Sequence, residues 1–253
     1  ASSDNTNSSM IPRLIISYRD SKGIEDYWTY ESFNCADIGT AYINVFNRNL
    51  TFVYNLYQTP GNVLPINLSA VYNSSLANEI GSPNNTVNNN IGLSLGYGTK
   101  LNVIEKIYEK TISNRLYYVH EDADGTEHYY YDKDNNGKFV SEDGLDYTIT
   151  KTGSVYSMKN SEGIIKQYNS SGLISYIQDK YGNKKEFEYS GTNLVSIRDY
   201  AAGETTFDTP VTFNVTGNRL NSICGSGNDT DRIEFEYTND RLTSINYYSR
   251  ISG

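Results

Sequence analysis

The chain has 253 residues, of which 30 are acidic and 21 are Lys or Arg, so its formal net charge is −9. Hydrophobic residues make up only 37%, but 24 Tyr, 8 Phe and 1 Trp raise the aromatic share to 13%, which argues against a disordered chain. No apolar run approaches the roughly 18 residues of a membrane-spanning helix. The acidic balance also argues against a nucleic-acid partner. Composition therefore predicts a soluble, β-rich protein.

The two ends of the chain carry different patterns. Residues 1–22 begin with an almost entirely polar stretch without the charged and apolar regions of a signal peptide, so we interpret them as a flexible leader or linker. The other end stops within a repeating pattern, which indicates a piece of a longer protein. Cys35 and Cys224 are too few for a disulfide scaffold, and we expect two separate thiols.

Short strands and turns are predicted from about residue 41 onwards. Residues 41–46 and an alternating strand from Leu50 to Leu56 form a predicted hairpin around a tight turn at 47–49. After a turn at 60–62, a second alternating stretch at 66–73 predicts another strand. The Asn-rich residues 84–90 are typical of a long exposed loop.

Residues 100–110 fit two kinds of element. Leu101, Ile104, Ile107 and Tyr108 would line one face of a helix, whereas Ile104, Lys106 and Tyr108 would alternate along a strand. We expect a strand, because strands are predicted on both sides.

The second half carries a degenerate internal repeat. Leu173, Leu194, Leu220 and Leu242 lie 21, 26 and 22 residues apart, and each begins a strand that leads through a turn to an aromatic, alternating strand. One such hairpin cannot bury its apolar face, but hairpins stacked side by side share the burial. The repeat predicts an all-β fold in which antiparallel β-hairpin repeats form a curved or spiral extended sheet.

These units resemble the tyrosine-aspartate (YD) repeats of the Rhs family. Residues 172–189 follow the family pattern G-x-L-x-x-I-x-D-x-x-G-N-x-x-x-x-x-Y nearly throughout. Motifs that resemble the opening of an Rhs region precede them in the family's order, at 23–30, 39–44, 61–66, 71–74, 92–98 and 121–129. The resemblance covers about residues 23–250 and departs from the family at Tyr97, where many relatives carry Trp.

The resemblance implies a spiral β-sheet that closes, over many repeats, into a hollow shell around a C-terminal toxin or effector. Residues 23–115 would be the opening segment, and residues 116–253 would be hairpin repeats continuous with the preceding sheet. The implied partners are downstream repeats and the toxin domain of the same polypeptide, in a secreted or cell-wall-associated bacterial protein. An open sheet edge would favour self-association. The family's self-cleaving C-terminal motif is not found, so we assign no autoproteolysis.

One acidic motif nearly matches a Ca²⁺-binding loop. Asp132, Asp134 and Asn136 occupy the first, third and fifth positions, Gly137 follows, and Asp143 stands where such loops carry Glu. The flanking sequence is typical of strands rather than the helices of an EF-hand. An acidic Asn-Gly hairpin turn is the alternative interpretation.

The two histidines flank a second turn. His120 and His128 stand on either side of Asp124-Gly125, with Glu121, Asp122 and Glu127 nearby, so a hairpin would place them opposite one another. A transition-metal site is one interpretation, but the HExxH spacing is not found. We expect surface histidines on a hairpin.

The remaining candidate chemistry is sugar binding by aromatic side chains. Tyr27, Trp28 and Tyr30 form a cluster that could stack on sugar rings of a cell-wall glycan, although aromatics also pack well on sheets. Nothing singles out a catalytic pair of carboxylates, and no nucleophile or nucleotide-binding motif is found. The sequence predicts a non-enzymatic protein without a required cofactor.

Overall fold

The computed structural model describes residues 22–59, 63–78, 93–204, 210–225 and 231–248, and nearly all of its regular structure is β-strand. The predicted all-β class is confirmed. The leader before residue 22, the turn at 60–62 and the loop at 84–90 lie outside the described residues. Within these ranges, no helix combines the length and apolar character needed to cross a membrane.

The first sheet has five antiparallel strands in chain order. They are β1 (Tyr30–Asn34), β2 (Gly39–Asn44), β3 (Leu50–Gln58), β4 (Asn67–Asn73) and β5 (Thr99–Leu101). The predicted hairpin at 41–56 is confirmed as β2 and β3, which pair antiparallel. A short helix, α1 (Ser74–Asn78), follows β4 and was not predicted.

The second sheet has fourteen strands in chain order, and each strand pairs antiparallel with the next one along the chain. They are β6 (Lys106–Ile112), β7 (Arg115–Glu121), β8 (Glu127–Asp132), β9 (Phe139–Ser141), β10 (Tyr147–Thr152), β11 (Val155–Asn160), β12 (Ile165–Tyr168), β13 (Ile174–Gln178), β14 (Lys184–Ser190), β15 (Asn193–Tyr200), β16 (Val211–Thr216), β17 (Arg219–Cys224), β18 (Arg232–Thr238) and β19 (Arg241–Tyr248). The predicted succession of hairpins is therefore confirmed.

The last three hairpins of this sheet repeat one structural detail. In each hairpin the first strand has a β-bulge, where its register shifts, just before the residue that pairs with the predicted Leu of the second strand. The resulting pairs are Tyr189 with Leu194, Val215 with Leu220 and Tyr237 with Leu242. A bulge bends its strand and increases the local twist. The same bulge in successive hairpins therefore favours a curved sheet.

The segment at 100–110 is neither one helix nor one strand. It contains the end of β5 and the start of β6, which belong to different sheets, and a turn at 102–105 separates them. The chain therefore passes from the first sheet to the second within this turn. Residue 115, the predicted end of the opening segment, is instead the first residue of β7, after the β6–β7 turn. At the predicted boundary β6 and β7 pair in one sheet, and the change of sheet lies earlier, between β5 and β6.

Residues 93–98, called the strap below, hold the two sheets together. Ser94 N donates to Asn218 O at 2.7 Å, in the turn before β17, and Leu220 N, within β17, donates to Ser94 O at 3.0 Å. Tyr97 N donates to Asp240 O in the next such turn. Leu93 and Leu95 are fully buried in the main core, which includes side chains from both sheets.

A second contact folds the long sheet back on itself. The backbone N–H of Ile107, at the start of β6, donates to Gly172 O at 2.8 Å, in the turn between β12 and β13. Strands six positions apart in the sheet are thus joined, which requires the sheet to curl. Glu105, in the turn before β6, is carried into the interior by the same contact.

Candidate functional site

The β7–β8 hairpin places the two histidines inside the protein. His120 and His128 pair directly across the hairpin, and their ring centroids lie 6.1 Å apart. They are only 3% and 4% exposed, so the expectation of surface histidines is wrong. The turn at 102–105 and the segment before β1 cover this face. The sequence could have indicated this burial, because His120 and His128 each lie two residues along a strand from a buried tyrosine, Tyr118 or Tyr130, and so share its face.

His120 belongs to a buried ionic cluster through its Nε2, whereas its Nδ1 has no hydrogen-bond partner among the described residues. Glu105 Oε2 lies 2.8 Å from His120 Nε2 and accepts a hydrogen bond from the Tyr168 hydroxyl at 3.1 Å. Lys166 Nζ donates to both oxygens of Glu105, at 2.9 and 2.7 Å. A buried carboxylate is thus met by three partners, as a charge in a low-dielectric interior requires.

These contacts set the protonation states of the cluster. Burial alone would raise the pKa of Glu105, but the charge of Lys166 and the hydrogen bond with His120 outweigh it and lower that pKa. Burial also lowers the pKa of His120 despite the attraction of Glu105. The cluster therefore holds an ionised Glu105 between a lysine ammonium and a neutral imidazole.

His128 faces a second, more acidic group. Its Nε2 lies 3.1 Å from Asp122 Oδ2 and 3.5 Å from Glu25 Oε1. Its Nδ1 lies 3.8 Å from Asp143 Oδ2, which is too far for a hydrogen bond. One imidazole is thus surrounded by three carboxylates.

Burial and neighbouring charges shift the pKa values in this group in both directions. Burial alone would raise the pKa of Asp122, but its hydrogen bond with His128 outweighs that effect and lowers it. Burial lowers the pKa of His128, but the hydrogen bond to Asp122 and the surrounding negative charges outweigh this effect and raise it to about 10. Burial raises the pKa of Glu25 to about 7. Burial and the charge of Asp122 raise the pKa of Asp124 to about 6. The cluster carries more carboxylates than one imidazolium can neutralise.

Glu25 reaches this site because the segment before β1 is held against the hairpin. Ile24 N donates to Asp124 Oδ2 at 2.7 Å, and Glu25 N donates to the Tyr30 hydroxyl at 2.8 Å. That hydroxyl in turn donates to Gly23 O. A side chain at Gly23 would collide with Asp124 and Thr126, so the backbone lies directly on the turn.

Lys100 connects β5 to the same hairpin. Its side chain is completely buried, and Nζ lies 3.1 Å from Glu121 Oε1 and also donates to the carbonyl oxygen of Asp122. Lys106 Nζ approaches the other oxygen of Glu121 at 2.8 Å. The site as a whole therefore lies where both sheets meet.

The predicted aromatic cluster is only partly available for stacking. Tyr27 is 57% exposed, but its ring is tilted by 47° from that of Trp28, which packs in turn on Phe46. The Tyr30 hydroxyl holds the backbone at 23–25 and its ring packs edge-on against Tyr42. The three predicted side chains do not form one flat surface.

The four predicted Ca²⁺ ligands are not brought together. Asp132 accepts backbone hydrogen bonds from Asn136 and Gly137, and Asn136 accepts one from Lys138, within an exposed turn that contains Asp134. Asp143 lies beyond the other end of β9, beside His128. His128 and Asp132 are four residues apart along β8, which corresponds to roughly 13 Å. This geometry is that of the acidic hairpin turn.

Fold and site together define an all-β protein of two hairpin-built sheets with an ionic cluster buried between them. Compared with protein-family models and with curated protein sequences, the chain matches none.

Cys35 is exposed and Cys224 is buried, and they are not joined in a disulfide.

Proposed function

We propose that the chain is a non-enzymatic structural segment of a large secreted or cell-surface protein of the Rhs type, whose β-sheet shell encloses or displays a C-terminal toxin or effector. The observation that carries the proposal is the fourteen-stranded sheet whose strands follow one another in chain order. Such a sheet grows by adding hairpins at its end, so each further repeat needs only the edge of the repeat before it.

The end strand has the features that such growth requires. Among the described residues, β19 has one strand neighbour, β18. No described strand pairs with its other edge, and an unpaired edge favours pairing with another strand. The proposed partners are downstream repeats of the same polypeptide, and the same edge permits self-association of the isolated chain.

The burial of the ionic cluster supports a structural role rather than catalysis. His120 and Glu105 are both less than a tenth exposed, and His120 Nε2 already contacts Glu105 and Tyr168. A general base must reach its substrate within hydrogen-bonding distance. Side chains closed in this way instead hold β7 and β12 against the turn before β6.

A second candidate function is binding to cell-wall carbohydrate. The observation in its favour is an exposed apolar surface on the first sheet, in which Tyr27 and Phe46, the latter 68% exposed, flank Trp28. Aromatic faces of this kind can stack on sugar rings. The site would use Tyr27 and Trp28, with Phe46 in place of the inward-turned Tyr30.

Co-sedimentation with purified cell walls and insoluble polysaccharides separates the two functions. We expect the wild-type protein to remain in the supernatant at all concentrations, as a scaffold without a glycan site would. The Tyr27→Ala/Phe46→Ala double variant should behave in the same way. Tyr181→Ala is the matched control, because Tyr181 is also a highly exposed aromatic residue but lies on the second sheet. Saturable binding that the double variant loses and Tyr181→Ala retains would contradict the pure scaffold and establish a glycan site.

A further inference from the structure

The acidic group around His128 has the arrangement of a metal-binding site. We propose that Glu25, Asp122 and His128 bind one divalent transition-metal ion, and that Zn²⁺ matches their donor atoms best. A mixed set of one imidazole and two carboxylates is a common zinc environment, whereas Mg²⁺ and Ca²⁺ prefer oxygen ligands alone. The proposal stands on this cluster and does not depend on the scaffold function.

The three donor atoms are close enough to share an ion. His128 Nε2 lies 3.1 Å from Asp122 Oδ2 and 3.5 Å from Glu25 Oε1, and all three atoms lie within 4.8 Å of one another. Ligands about 2.0–2.1 Å from a tetrahedral ion are about 3.3–3.4 Å apart. Small rotations of the two carboxylates would therefore complete the coordination.

The cluster also contains buried atoms that lack a hydrogen-bond partner. Glu25 is only 7% exposed, and its Oε1, the proposed ligand atom, accepts no hydrogen bond from the described residues. His128 Nδ1 is likewise buried without one. An unsatisfied buried oxygen is costly. A cation at this position would satisfy Oε1 and balance the surplus negative charge.

The surroundings supply the support that metal ligands need. Asp143 Oδ2 lies 3.8 Å from His128 Nδ1, on the side opposite the proposed ion, so a small movement of this carboxylate would let it accept a hydrogen bond from Nδ1 and orient the imidazole. The Asp122 side chain is one-quarter exposed, so a remaining coordination position is open to water. When the ion binds, the proton on Nε2 is released to solvent.

The ion would connect distant parts of the chain. Glu25 comes from the segment before β1 in the first sheet, whereas Asp122 and His128 belong to the β7–β8 hairpin of the second. Binding to the folded protein alone would stabilise the join between these parts. We therefore expect a structural metal.

Calorimetric titration of the chelator-treated 253-residue chain with Zn²⁺ tests the site, together with the thermal unfolding midpoint with and without Zn²⁺. We expect one equivalent to bind and the midpoint to rise, while Ca²⁺ does neither. Glu25→Gln should weaken Zn²⁺ binding at least tenfold, and His128→Gln should abolish it. Asp134→Asn, in the exposed acidic turn, is the matched control and should bind as the wild type does.

Circular dichroism of the metal-free variants separates loss of ligand from loss of fold. Glu25→Gln keeps the size of the side chain, so it provides the decisive comparison even where His128→Gln does not fold. The proposal is overturned by a wild-type protein that binds no Zn²⁺, or by a folded Glu25→Gln variant with wild-type affinity. It is equally overturned if Asp134→Asn lowers the affinity as much as Glu25→Gln does.

Discussion

Replacing Gly172 by Ala is expected to lower the free energy of unfolding by about 3 to 5 kcal/mol. Gly172 has a φ of +75°, which L-residues rarely adopt. A Cβ there would also overlap the carbonyl oxygen of Ile107. The Ile107–Gly172 hydrogen bond, which holds β6 against the turn between β12 and β13, would then have to break. Urea unfolding followed by tyrosine fluorescence measures the effect.

Gly191→Ala is the matched control for this prediction. Gly191 also lies in a turn of the repeats, between β14 and β15, and has a φ of +64°, but a Cβ there would meet nothing within 4 Å. Only the backbone cost of about 1 to 2 kcal/mol is expected. Equal losses in the two variants would mean that the approach of β6 to Gly172 contributes nothing to stability.

The second large effect is expected at the buried carboxylate of the His120 cluster. Glu105→Gln removes the charge that compensates Lys166, whose Nζ lies 2.7 Å from Glu105 Oε2. A buried charge left without its partner costs about 3 to 5 kcal/mol. The double variant Glu105→Gln/Lys166→Met should recover part of this loss, because it removes both charges. This explanation would be contradicted if the double variant lost more free energy of unfolding than the two single variants lose when their losses are added.

The same pair predicts a dependence on pH. The pKa of Glu105 is lower in the folded protein than its ordinary value of 4.5, so its contribution to stability is present above that pH. As the pH falls below about 4.5, the unfolded chain takes up a proton that folded Glu105 resists, and this contribution decreases. The stability difference between wild type and Glu105→Gln should therefore shrink from pH 5 towards pH 3. A difference that grows on acidification would contradict the assignment of an ionised Glu105.

Local patterns predicted the strands, but contacts between distant segments determined their arrangement. The period-2 pattern placed Leu194 and Leu220, which are completely buried, and the hairpins around them. The segment at 100–110 was harder to interpret because its apolar residues serve two sheets, with Leu101 in β5 and Ile107 in β6. No local pattern reveals such a change of sheet.

The candidate site was predicted only in part for the same reason. The pairing of His120 with His128 follows from the turn between them, since register in a hairpin is local. Glu25 and Lys166 come from elements far away in the chain, so the side chains that bury and charge the two histidines could not be foreseen. The Ca²⁺-loop pattern could not reveal that Asp132 and Asp143 lie at opposite ends of β9, because the pattern assumes one continuous loop.

The most direct test of the proposed scaffold is sedimentation velocity of the isolated protein at rising concentration, compared with Thr243→Lys and Thr148→Lys. Both threonines are exposed and donate to a carbonyl oxygen of the neighbouring strand, but Thr243 lies on β19 whereas Thr148 lies on β10, between two strands. A lysine on an open edge hinders pairing with a further strand. The account predicts reversible association of the wild type, loss of association in Thr243→Lys, and wild-type behaviour in Thr148→Lys. A wild type that remains monomeric throughout, or equal loss in both variants, would contradict growth of the sheet at β19.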